Sequence, residues 1–170
     1  MLACRIRPAT REDAAAAVAV LRDSITHLCV ADHRNDPATL ERWLRNKTTA
    51  SFLEWLALPD AFIVVADVES AVCGVGAVRN SGDLDLCYVQ PGRHRAGVGA
   101  AILQALEARA AAWGLAELRL ISTATARAFY ERHGYVLTGE QSVSGFGLLR
   151  DYRYVKVLGA RPPAASRADG

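Results

Sequence analysis

The sequence predicts an α/β protein of the α+β kind, a single domain whose mixed, mostly antiparallel sheet of about six to seven strands is flanked by helices. Three observations carry this. The chain has 170 residues, 51% hydrophobic and 22% charged, enough to bury one substantial core without dividing. Its apolar residues switch along the chain between a period of three to four and a period of two, so helices and strands alternate. Two strand-like runs, 62–68 and 72–78, are joined by a loop too short for a crossover, so they pair antiparallel.

The elements follow in order. Residues 3–7 read as a short strand. Thr10-Arg11-Glu12-Asp13 has the form of a capping box, opening an Ala/Val/Leu-rich helix that runs to about Cys29. Asp36-Pro37 supplies an N-cap and a proline at the first helical position, and the helix it starts carries Leu40, Trp43 and Leu44 on one face. A third, short helix holds Phe52, Leu53, Trp55 and Leu56 and stops before Pro59.

The strands 62–68 and 72–78 meet through Glu69-Ser70, and the turn Asn80-Ser81-Gly82-Asp83 leads into a third strand, 84–89, closed by Pro91-Gly92. From Gly97 to about Trp113 the residues Val98, Ile102, Leu106 and Ala110 recur every four positions, an amphipathic helix ending at Gly114. Residues 115–121 alternate as a strand, 125–133 form a helix stopped by Gly134, 135–137 begin another strand, and 151–158 alternate as the last. Residues 1–159 form the domain, and the tail 160–170, without an apolar period, is expected to be disordered.

A net charge of +2 provides no extended basic face, so neither nucleic acid nor a membrane surface is an expected partner. Any anion site must be local. No apolar run approaches the roughly 18 residues of a membrane span, and the opening MLACRIRPATRED is charged from the start, so a cytoplasmic location is expected. Cys4, Cys29, Cys73 and Cys87 form neither a C-x-x-C pair nor a cluster with histidine; they read as reduced thiols, and no metal is expected.

The stretch RHRAGVGAAI, residues 93–102, looks built to hold an anion. A dinucleotide fingerprint fails because Ile102 stands where the third glycine belongs, and a P-loop fails for want of a lysine. What remains is a strand, a proline-containing turn, basic residues, and G-x-G at a helix start, where backbone N–H groups can converge on a pyrophosphate. Taken alone, the same glycines also suit a tight strand-to-helix turn.

The wider chain adds a resemblance. Residues 89–103, VQPGRHRAGVGAAIL, resemble the acyl-CoA pyrophosphate loop of the GNAT superfamily of N-acetyltransferases, and STATARAFYERHGY (122–135) resembles that family's second motif, A-x-x-F-Y-x-x-x-G-F/Y. The opening IRPATREDA is similar to the family's first strand and helix, so the likeness spans nearly the whole chain. It departs from the pattern at His94, usually Gln or Arg, and at Thr123, commonly Asn.

The resemblance implies a GNAT-like fold, acetyl-CoA (coenzyme A) as cosubstrate, and an amine acceptor, small molecule or peptide. It places cofactor contacts at Cys87, Tyr88 and Val89, at His94, Arg95, Ala96, Gly97, Val98, Gly99 and Ala100, and at Thr123 and Tyr130. It puts a polarising backbone N–H near 87–89 and makes Tyr130 the acid that protonates the departing thiolate. Asp83 matches a position where some members carry a catalytic Glu.

Acetyl transfer to an amine needs a neutral amine, a stabilised oxyanion and a proton for the thiolate. Asp83 and Asp85, two apart on a strand and so expected on one face opposite Leu84 and Leu86, are the candidate bases, with ordered water as the alternative and the NSGD turn as the other reading of Asp83. Cys87 reads as a small hydrophobe, with a Cys/His acyl-enzyme as the alternative. Asp32 and His33, in a region similar to the family's variable acceptor loop, otherwise read as a local turn or solvated surface, and Trp43 and Trp55 as packing. Arg93 and Arg95 can meet phosphates or form a solvated edge.

Two functions compete: an acetyl-CoA-dependent N-acetyltransferase working by direct attack in a ternary complex, and a noncatalytic acyl-CoA sensor or interaction module. Acceptor identity, acyl-chain preference and the choice between monomer and homodimer stay open.

Overall fold

The computed structural model describes residues 4–93, 95–141 and 150–159. Among these residues seven strands and six α-helices run in the order β1 (Arg5–Pro8), α1 (Ala14–Leu28), α2 (Val30–His33), α3 (Pro37–Leu44), α4 (Thr49–Leu56), β2 (Ala61–Val68), β3 (Ala71–Arg79), β4 (Leu84–Val89), α5 (Val98–Ala112), β5 (Glu117–Ser122), α6 (Arg127–Arg132), β6 (Val136–Gln141) and β7 (Asp151–Val157). The tail 160–170 lies outside the described residues.

Two antiparallel sheets result, β1-β2-β3-β4 and β5-β7-β6. A single parallel bridge between Asp83 and Arg119, with the Arg119 N–H donating to the Gly82 carbonyl at 2.8 Å, joins them where β4 starts. Beyond that bridge β4 and β5 share no ladder among the described residues, so the sheet opens into a gap.

Helices cover both faces of the larger sheet, which is why β2 and β3 are buried almost continuously instead of alternately. On one face Val64, Ala66 and Val78 pack with Val98, Ile102 and Leu106 of α5; on the other Ile63, Val65, Val75 and Ala77 pack with Ala17, Leu21 and Phe52 of α1 and α4. Two glycines of β3 set the closeness of α5. A Cβ at Gly74 would stand 2.6 Å from Ile102 Cδ1, and one at Gly76 would collide with Ile102 Cγ2.

Local chemistry explains most of the boundaries. The Asp13 carboxylate accepts from the Thr10 N–H (2.7 Å) and hydroxyl (3.0 Å), but the first turn there is a short 3-10 segment, Arg11–Asp13, with α1 beginning behind it. Asp36 caps α3 through the Thr39 N–H at 2.7 Å, and Thr48 caps α4 through the Ser51 N–H at 3.1 Å. The hairpin turn Glu69-Ser70 takes positive φ at both residues, 52° and 66°, without the glycine that usually announces such a turn.

Candidate active site

The helix α5 starts at Gly97, whose φ of 80° and open surroundings fit a residue without a Cβ. The Ala101 N–H bonds the Gly97 carbonyl at 3.0 Å, and the N–H groups of Val98, Gly99 and Ala100, at the positive end of a 15-residue helix, have no backbone partner among the described residues. Gly99 has a second reason to be glycine. A Cβ there would stand 3.3 Å from the Phe129 ring, so this position also lets α6 pack against α5. Arg95 and Ala96 lie exposed just ahead of the helix; His94 lies outside the described residues.

The edge of β4 supplies further donors. Gln90 N–H donates to the Cys73 carbonyl at 2.8 Å, and by antiparallel alternation the N–H groups of Cys87 and Val89 then point away from β3, into the gap toward β5. This is the stretch where a polarising backbone N–H was expected.

A bulge in β4 re-aims the side chains before that stretch. Leu84 lies opposite Val78 and Leu86 opposite Ala77, leaving Asp85 as the extra residue. Strict alternation therefore fails. Leu84 packs with the α5 cluster and Leu86 with the α1 cluster, so the expected pairing of both leucines on one face does not hold. Asp83 and Asp85 nonetheless line the same cleft.

Both carboxylates are engaged. Asp85 accepts from Arg79 Nε at 2.6 Å, while burial pushes its carboxyl above the ordinary value and the arginine pulls it back. Asp83 accepts the Ser81 hydroxyl at 2.7 Å and lies 3.4 Å from an Arg119 nitrogen.

Tyr130, on α6, is buried among the rings of Phe129, Tyr135 and Tyr154, and its hydroxyl faces the Cys87 thiol. Burial raises its phenol well above the ordinary tyrosine value, and burial likewise pushes the Cys87 thiol up to about 12. Cys87 Sγ lies 3.9 Å from the Gly99 carbonyl. Burial thus favours the protonated thiol, and Cys87 packs on the core as a small apolar side chain.

Thr123 and Asp32 fix the segment that leads into α6. Thr123 is buried, and its hydroxyl accepts the Ala126 N–H at 3.0 Å. Asp32 is neither a local turn nor solvated surface: it is buried and accepts from the Ala124 N–H at 2.6 Å and the Thr125 hydroxyl at 2.6 Å. His33 is fully buried, with Nε2 on the Ile25 carbonyl at 3.1 Å and Nδ1 accepting the Asn35 N–H at 3.0 Å.

Opposite α5, a cleft of about 880 Å³ opens between α3, α4 and the gap, with Trp43, Trp55, Tyr88 and Leu86 among its walls. Lys47 lines it and was not anticipated; a lone lysine in RNKTTA carries no pattern that distinguishes it from surface. Desolvation lowers its ammonium to about 8. Among the described residues no group of three or more His, Cys, Asp or Glu is arranged to hold a metal, and no helix is long and apolar enough to cross a membrane.

The strand gap thus has a glycine-started helix N-terminus on one face and a separate cleft on the other. The comparisons give the family. A model of the acetyltransferase (GNAT) domain matches residues 29–154, so the chain belongs to the GNAT acetyltransferases. Among solved structures it is similar to a GCN5-related N-acetyltransferase from Rhodopseudomonas palustris (25% identity, 93% of this chain and 98% of that one, TM-score 0.82). It also resembles the PaiA N-acetyltransferase of Thermoplasma acidophilum, solved with coenzyme A (19%, 92% and 99%, TM-score 0.77), and yncA of Salmonella typhimurium, solved with acetyl-CoA (18%, 96% and 99%, TM-score 0.69). No curated protein matches the sequence.

Proposed function

We propose that this protein is an N-acetyltransferase that moves the acetyl group of acetyl-CoA to a primary amine by direct attack while both are bound. The observation that carries this reading is the gap itself: β4 N–H groups at Cys87 and Val89, without a partner among the described residues, lie between the N-terminal end of α5 with Tyr130 on one side and a carboxylate-lined cleft on the other. The residues fit the cofactor. Nothing stands within 4 Å of a Cβ built at Gly97, and the N–H groups of 98–100 suit its pyrophosphate.

When bound, acetyl-CoA supplies a thioester carbonyl on which negative charge develops during attack. The β4 N–H groups stabilise that charge. Asp85, at the bulge and raised by burial, takes the proton of the amine, which is otherwise mostly charged at neutral pH. Tyr130 holds its proton tightly, so its hydroxyl serves the departing sulfur as a hydrogen-bond donor. Thiol release from acetyl-CoA with a panel of primary amines tests the reading. Tight binding of acetyl-CoA without release on any amine overturns it in favour of a noncatalytic acyl-CoA sensor.

A further inference from the structure

The charge of the cleft bears on the acceptor, an inference that rests on the transferase reading. Six cationic side chains line it, Arg42, Arg45, Lys47, Arg79, Arg119 and Arg153, against two carboxylates, Asp83 and Asp85. Each carboxylate already has its arginine, Arg79 for Asp85 and Arg119 for Asp83. Arg42, Arg45, Lys47 and Arg153 have no carboxylate partner among the described residues.

Lys47 separates this from an ordinary basic surface. The arginines Arg42, Arg45 and Arg153 are exposed, and water satisfies them at little cost. Lys47 is 8% exposed, and an ammonium taken out of water without a counter-ion is expensive. Its neighbours are the Asn46 side-chain oxygen at 2.5 Å and the Trp55 ring at 5.8 Å, neither of which carries a negative charge. The unfilled requirement of the site is one anion. A compact, singly charged ammonium beside Trp43, Trp55 and Tyr88 suits one carboxylate attached to an apolar body.

We propose that the acceptor is a small amine that also carries a carboxylate, and that Lys47 pairs with that carboxylate while the amine end lies toward the β4–β5 gap. The surplus of cations works against polyamines and other polycationic amines, which would bring like charge into the cleft.

The test compares matched acceptors at pH 7.5: glycine, phenylalanine and 4-aminobutyrate, each against its own amide, with spermidine and 2-aminoethylphosphonate as further arms. Thiol release from acetyl-CoA should show kcat/KM for at least one acid exceeding that of its amide by about tenfold or more, the size of one charged hydrogen bond. In Lys47→Met that ratio should fall toward one, and Lys47→Arg should restore part of it. Transfer that proceeds as well to the amides, or better to spermidine or the phosphonate, overturns the carboxylate inference and leaves the transferase reading standing.

Calorimetry gives a readout independent of turnover. The N-acetylated form of each acid and of its amide is titrated into protein saturated with coenzyme A, and an acid should bind about tenfold tighter, a margin lost in Lys47→Met. If no amine releases thiol, the transferase reading falls. Equal binding of acetylated acids and amides then removes the anion site as well.

Discussion

The carboxylate of Asp32 accepts the Thr125 hydroxyl at 2.6 Å across 93 residues of chain, and its other oxygen accepts the Ala124 N–H at 2.6 Å. One side chain thus ties the region after α1 to the segment that aims α6, and with it Phe129 and Tyr130. Replacing Asp32 by Ala removes its bonds from the Ala124 N–H and from the Thr125 N–H and hydroxyl; residues 124 and 125 are exposed, so water replaces part of the loss, which should cost about 1–2 kcal/mol of stability. Because Asp32 only positions Tyr130, kcat should fall in Asp32→Ala while the KM for acetyl-CoA changes less. Full activity with a wild-type urea midpoint would show that the contact is dispensable.

The helix start gives a prediction in which stability and binding move in opposite directions. Ala100 is the third residue of α5, where an acidic side chain favours the helix dipole by about 0.3–1 kcal/mol. The same carboxylate in Ala100→Asp would compete with a pyrophosphate for the free N–H groups. The melting temperature should hold or rise while the acetyl-CoA Kd rises at least tenfold, about 1.4 kcal/mol. Gly99→Asp is a poorer probe, because a Cβ there meets the Phe129 ring at 3.3 Å. Unchanged affinity in Ala100→Asp would detach the pyrophosphate from this helix.

Desolvation raises the carboxyl of Asp85, and the bulge of β4 sets it apart from the strand. A base must be unprotonated to act, so the rate carried by Asp85 should be lost as pH falls through its raised value and be fully present above it. Asp85→Asn should lower kcat/KM at neutral pH and recover in part at high pH, where the amine is already neutral. Asp83→Asn should stay near the wild-type rate. The reverse ranking assigns the proton to Asp83.

Much of this architecture was legible from periodicity, because its helices and strands are amphipathic or continuously apolar, and every expected element formed within a few residues. The joint between the sheets was not legible. It depends on where β4 and β5 stop pairing, and on a bulge at Asp85 whose only trace is that Leu84 and Leu86 pack on opposite faces. Gly74 and Gly76 look like ordinary strand glycines until Ile102 is placed against them. Lys47 and Asp32 carry no local pattern at all, since each is defined by residues distant in sequence.

Tyr130→Phe removes one hydroxyl from a ring held by Phe129, Tyr135 and Tyr154, so the fold should change by less than about 1 kcal/mol. A phenol raised by burial gives up its proton reluctantly, and its contribution is then one hydrogen bond to the developing thiolate. The expected fall in kcat is about ten- to a hundredfold, with acetyl-CoA affinity little changed. Thioesters with a more acidic leaving thiol should be less sensitive. A folded Tyr130→Phe that keeps more than about half the wild-type rate, with chemistry limiting turnover, makes Tyr130 a packing residue.

Lys47→Met tests the cost of the buried ammonium directly. The folded protein holds this proton with a value of about 8 against the ordinary 10.5, so between those two values the unfolded chain binds more protons than the native state. Stability from this group therefore rises with pH across the window from about 8 to 10.5; the penalty is present in full below about 8 and gone above 10.5. Methionine fills a similar volume without the charge, so Lys47→Met should be more stable than the wild type at pH 7 by about 3 kcal/mol, and that margin should shrink to near zero by pH 10.5. Urea unfolding of both proteins at pH 7, 8, 9 and 10.5 measures it, since titrations shared by the two proteins cancel in the difference. A saturating carboxylate-bearing ligand should narrow the gap at pH 7 by up to about 1.4 kcal/mol, because it binds the wild type about tenfold tighter than the variant. A variant that is less stable at pH 7, or whose margin does not change with pH, would mean that the Lys47 ammonium reaches water in the folded protein.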